Sequence, residues 1–98
     1  MTMHPIIHFK DMQKLKFKTL ALKIQQNPDF YLNFEHVADF YQIKWLDDFP
    51  KGTAWYTTGL DDGAEEFYAK IIYEDCCLSL SCGRFHRCAT FTILDQKI

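Results

Sequence analysis

The sequence predicts an α+β domain: two N-terminal helices packed against a three- or four-stranded antiparallel sheet that ends in a C-terminal β-hairpin. Three observations predict it. Apolar residues in the first half recur at helical spacing, and β-branched and aromatic residues concentrate after Gly52. Near the C-terminus, Gly83 separates two segments that alternate apolar and polar residues. A chain of 98 residues holds one core and not two, so residues 1–98 form a single globular domain.

The first helix is announced by Asp11, a good N-cap residue, and stopped by Asn27-Pro28. Between them Phe17, Leu20, Ala21 and Ile24 make one apolar stripe with Leu15 and Leu22 beside it, while Lys14, Lys18 and Lys23 fall off the stripe. Upstream, Ile6-Ile7 could add a short edge strand, a place where Pro5 is tolerable. A second helix is expected from about Asn33, with Phe34, Val37, Ala38, Tyr41 and then Trp45 on one face. Glu35 and Asp39 lie one turn apart on a different face, with Phe40 beside that acidic edge. Carboxylates oppose the dipole at a helix C-terminus, so this helix should end before Asp47 and Asp48.

Thr53 to Thr58 has strand composition and is closed by Gly59. Ala64 to Tyr73 fits a helical stripe through Ala64, Phe67, Tyr68, Ile71 and Ile72, with Asp62 and Glu65 as a capping box. Glu74 and Asp75 would then sit at the negative end of that helix. As a strand, the segment would instead run into a hairpin turn at Tyr73-Glu74-Asp75-Cys76, and the balance falls to strand. For the last hairpin, Gly83-Arg84 fits a type II′ turn with glycine first. That register sets Leu80 opposite Arg87, Leu78 opposite Ala89 and Ser79 opposite Cys88. It sorts the pair into an apolar and a polar face, with Arg87 alone misplaced, obliged to snorkel or to find a carboxylate.

Charge is segregated. From Asp29 to Asp75 there are eleven carboxylates, three lysines and twelve of the sixteen aromatic residues, a local net charge of −8 inside a total of −2. The flanking segments sum to +6, and five lysines make the first helix basic. A concentrated negative field favours a basic partner, and aromatic side chains among charges are the material of protein interfaces. A role in direct nucleic-acid binding is disfavoured. Glu35 to Ile43 faintly echoes the start of a helix-turn-helix, but the element that follows, Lys44 to Pro50, is too short and too acidic to enter a groove.

Catalytic patterns are missing from the sequence: it has no glycine-rich phosphate loop, calcium loop or Cys-x-x-Cys knuckle. The paired acids Asp47-Asp48, Asp61-Asp62 and Glu65-Glu66 read as surface or as partner contacts. Cys77, His86 and Cys88 fall on one face of the expected hairpin, Cys77 diagonal to Cys88, which makes them the alternative site for zinc or thiol chemistry. Cys76 and Cys82 fall on the other face, where cysteine serves as a small buried side chain. No basic segment precedes a long apolar run at the N-terminus, and no apolar run is long enough to span a bilayer. The expectation is a cytoplasmic chain with reduced thiols, no membrane contact and no cofactor.

The function these features favour is a non-catalytic inhibitor of the immunity or antitoxin type, docking an acidic aromatic face on a basic protein such as a nuclease toxin. The expected field residues are Glu35, Asp39, Asp47, Asp48, Asp61 and Asp62, with Phe40 and Trp55 as anchors.

Overall fold

The computed structural model describes residues 9–33, 37–58 and 66–94. Helix α1 spans Phe9–Gln26, followed by two single-turn helices, α2 (Pro28–Tyr31) and α3 (Val37–Phe40), and a 3₁₀ turn at Lys44–Asp48. Four strands complete the chain: β1 (Ala54–Thr58), β2 (Glu66–Tyr73), β3 (Cys76–Gly83) and β4 (Arg87–Ile93). They form one antiparallel meander in the order β1-β2-β3-β4, so the α+β class holds with a four-stranded sheet.

Helix α1 forms where its stripe requires. Phe17, Ala21 and Ile24 are fully buried against the sheet, with Leu20 packed beside them. Asp11 lies inside the first turn rather than at the cap, since the helix is already formed at Phe9. At the other end Asn27 serves two helices. Its side-chain amide donates to the Lys23 carbonyl at 3.0 Å, and its own carbonyl receives the N–H groups of Phe30 and Tyr31. Pro28 opens α2, where a missing N–H costs nothing.

The expected second helix is broken into α3 and the 3₁₀ turn. A continuous helix would hold Tyr41 and Trp45 on one side. Instead Ile43 is extended, and the two rings part company. Tyr41 turns to Trp55, while the Trp45 indole N–H donates to the Tyr31 carbonyl at 3.1 Å and the ring packs near Phe49. Asn33 itself is not helical, and residues 34–36 and the edge strand expected at Ile6-Ile7 lie outside those described. After the 3₁₀ turn, Thr53 N–H bonds back to the Pro50 carbonyl at 3.0 Å, and Gly52 takes φ +95°. This is a type II turn, which demands glycine at its third position.

Residues 66–73 are strand, and Glu74-Asp75 is the turn that joins β2 to β3. The C-terminal hairpin differs from expectation by one step in its turn. Gly83 N–H bonds to the His86 carbonyl at 2.8 Å, so Arg84-Phe85 occupy the bend and Gly83 flanks it. Gly83 does not take a left-handed backbone, and the space of its missing Cβ is used by the exposed His86 ring, which lies 2.6 Å from where that Cβ would stand. The shift moves every pair by two residues, so Leu80 faces Ala89 and Cys82 faces Arg87. A two-residue shift preserves the sorting of faces.

The helix-facing side of the sheet is apolar: Phe67, Ala69, Ile71, Tyr73, Cys76, Leu78, Leu80, Cys82 and Ala89 are all buried. Arg87 belongs to this face and finds a carbonyl instead of a carboxylate, its Nε donating to Leu32 O at 3.0 Å. The Cys82 thiol shares the same acceptor at 3.5 Å. Helices α1 and α2 lie over β4, where the Phe91 N–H donates to the Gln25 side-chain oxygen at 2.6 Å. Phe40 lies over the opposite half, against Phe67 and Trp55. No helix among the described residues is long and apolar enough to cross a membrane.

Candidate functional site

The aromatic surface that the sequence anticipates centres on Trp55, but its geometry assigns new roles. Trp55 stands on β1, opposite Ile71 of β2. Its ring meets Phe40 at 5.4 Å and Tyr41 at 5.5 Å, and Phe40 and Tyr41 meet edge-on at 5.9 Å. Of the three rings, Phe40 is fully buried, while Trp55 is 40% and Tyr41 55% exposed. Phe40, one of the two expected anchors, is thus not on the surface. It lies beneath the surface, and Tyr41, expected on one face of the second helix, is exposed beside Trp55. The signal was present in the adjacency of Phe40 and Tyr41. The break at Ile43 that turns one ring inward and the other outward is a tertiary event.

Tyr41 and Trp55 line an open cleft of about 700 Å³ between the 3₁₀ turn, the Pro50–Thr53 turn and α1. Its charged lining is Lys16, Lys44, Lys51 and Asp47. Such a surface grips an apolar or aromatic side chain on the rings and fixes it with mixed charges around the rim. The lysines were not anticipated here, because Lys16 reaches the cleft only through the packing of α1.

The carboxylates expected to supply the field are dispersed. Asp47 is exposed on the cleft, whereas Asp48, also exposed, faces a separate apolar groove alongside Met12 and Leu15 of α1. Asp39 is half-buried on α3. Glu35, Asp61 and Asp62 lie outside the described residues. Part of the basic helix is neutralised internally: Lys10 pairs with Glu74 at 3.5 Å and Lys14 with Asp75 at 3.1 Å. The Lys14 hydrogen bond holds the Asp75 carboxyl below its ordinary value, and the same bond raises Lys14.

Cys77, His86 and Cys88 do share the outer face of the sheet, yet the observed register separates them. Cys77 pairs with Thr92, four residues along β4 from Cys88, a distance of roughly 13 Å at strand rise. A zinc ion needs its donors within about 2.3 Å of one point. His86 instead bonds Ser81 Oγ at 2.9 Å through Nε2. Among the described residues no group of three His, Cys, Asp or Glu side chains is placed to hold a metal. Burial raises the Cys76 and Cys82 thiols, the Asp75 carboxylate adding to the first and the Arg87 guanidinium opposing the second. Both stay protonated at neutral pH, and Cys82 is thereby a donor to the Leu32 carbonyl rather than a nucleophile.

Comparison with protein-family models, curated proteins and solved structures finds no match.

Proposed function

We propose that this chain is a non-catalytic protein-binding module, an inhibitor of the immunity or antitoxin kind that docks on a basic protein and covers its working surface. The observation that carries the reading is the Tyr41–Trp55 pair, exposed on a cleft and backed by the buried Phe40. Interface energy concentrates in aromatic residues of this sort, held by neighbours so that little freedom is lost on binding. The −8 segment from Asp29 to Asp75 supplies long-range attraction for a basic surface, a nuclease toxin being the natural example. The lysines at the rim oppose a basic surface locally, so on this reading attraction comes from the segment as a whole and contact from the rings.

The test is affinity capture at low salt from the source cell, with wild type run beside Trp55→Ala and Phe85→Ala. Phe85 is 90% exposed at the β3–β4 bend and serves as a control for nonspecific apolar capture. One stoichiometric basic protein should be held by wild type and by Phe85→Ala, released by raised salt, and bound about tenfold or more weakly by Trp55→Ala. Capture indifferent to Trp55, or no such protein, overturns the reading. Charge reversal at Asp47 and Asp48 should then flatten the salt dependence.

A further inference from the structure

Strand β1 is an edge of the sheet, and its main chain can be oriented from the hydrogen bonds at the opposite side. Gly83 donates to His86 and Leu94 to Asp75, so the odd-numbered residues of β3 turn their N–H and C=O groups toward β4. In an antiparallel sheet the two groups of one residue point the same way and alternate along the strand. Even-numbered residues of β3 therefore face β2. Carried through the registers Leu78↔Ile71 and Tyr56↔Lys70, Ala54, Tyr56 and Thr58 face β2. Trp55 and Thr57 are left presenting both groups to the open side, where no strand follows among the described residues.

Among the described residues this edge lacks three of the features that keep an edge unpaired: charge, proline and a bulge. Ala54-Trp-Tyr-Thr-Thr58 contains no charge and no proline, and its pairing with β2 runs without a bulge. No residue of the strand is buried, and Tyr56 is 61% exposed on the face away from the helices. We infer that β1 pairs antiparallel with β1 of a second copy, centred on Tyr56, to make a continuous eight-stranded sheet.

The choice of a second copy follows from the complementarity of the edge with itself. Centred on Tyr56, Trp55 of one copy faces Thr57 of the other, twice over. Every outward N–H then meets an outward C=O in two closely spaced pairs. A slip of two residues either way leaves one outward residue of each β1 without a partner in the other β1. A slip of one sets outward groups against inward ones. Tyr56 meets its own counterpart across the two-fold axis, at the position where cross-strand side chains approach most closely. No charge on the strand opposes the approach. The pairing uses main chain, so it stands independently of the partner proposed for the cleft, and it would place two Tyr41–Trp55 surfaces on one face of the joined sheet.

The test is sedimentation equilibrium over a wide concentration range on wild type, Thr57→Pro, Thr57→Val and Tyr56→Lys, with circular dichroism to confirm folding. Proline at 57 removes an outward N–H without touching the β2 ladder, a substitution edge strands accept. Wild type and Thr57→Val should dimerise, while Thr57→Pro, which removes two of the interchain bonds, should dimerise at least about tenfold more weakly. Tyr56→Lys brings two like charges together at the axis and should weaken the dimer by a similar factor. It decides the matter if the proline variant does not fold. A wild type that stays monomeric throughout overturns the inference. So does a dimer indifferent to both variants, which would assign association to another surface such as the Met12–Leu15 groove.

Discussion

The two edges of the sheet are finished in opposite ways. At β4, α1 and α2 lie over the strand, Gln25 accepts the outward N–H of Phe91, and Arg87 is tied to the Leu32 carbonyl. At β1, five residues lie without a single buried side chain, and the exposed rings of Trp55 and Tyr41 stand beside them. The difference shows where this molecule places its stability and where it leaves surface available. The long helix closes one edge, and the broken helical segment supports the other with one buried ring, Phe40. Both proposed interactions draw on residues of β1, although Lys16 of α1 also lines the cleft.

The largest test of this contrast is Phe17→Ala. Phe17 is fully buried and reaches both Phe49, at 4.9 Å between ring centroids, and Phe91, at 6.3 Å. Its truncation should cost about 3–5 kcal/mol in urea unfolding. A loss below about 1 kcal/mol would mean that the cavity collapses freely and that Phe17 does not anchor α1 to the sheet. A smaller effect is expected for Gln25→Ala, which should cost about 0.5–1 kcal/mol and speed hydrogen exchange at the Phe91 amide while leaving β2 and β3 unchanged. Exchange that stays slow at Phe91 would show that the closed edge does not depend on this side chain.

The smallest effect is electrostatic and belongs to the closed side as well. Asp75 has its folded value held below the ordinary 3.8 by Lys14. Its contribution is therefore present above that ordinary value and disappears as pH falls through the folded one. Lys14 is raised above 10.5, so its contribution is present below that value and fades as pH rises through the folded one. Urea midpoints for wild type and Asp75→Asn should differ near neutrality and converge in acid. A constant gap across the acid range would exclude the pair as the cause.

Most of the fold was legible because it rests on local rules. The stripe of Phe17, Ala21 and Ile24 gave α1, and the awkwardness of Glu74-Asp75 at a helix end tipped residues 66–73 to strand. The last hairpin was displaced by one position in its turn because Gly83 has two possible uses. The sequence suggested a left-handed backbone, whereas the structure uses the space left by the missing Cβ for His86. The second helix failed at Ile43, where the competing demands of Tyr41 and Trp45 outweigh helical continuity. The site was only partly visible. Trp55 could be singled out from composition, but Phe40 and Tyr41 differ in burial through packing alone. The orientation of Trp55 and Thr57 at the edge depends on strand order and ladder parity, which no local pattern encodes.

The carbonyl of Leu32 has a consequence in time as well as in space. It receives the Cys82 thiol and the Arg87 guanidinium across 50 and 55 residues of chain, whereas the β2–β3 and β3–β4 turns join near neighbours. Contacts that close long spans are rewarded only after their entropy has been lost. The meander can be laid down early from adjacent strands, and the helical layer is fastened to it late, when one peptide oxygen joins the first third of the chain to the last.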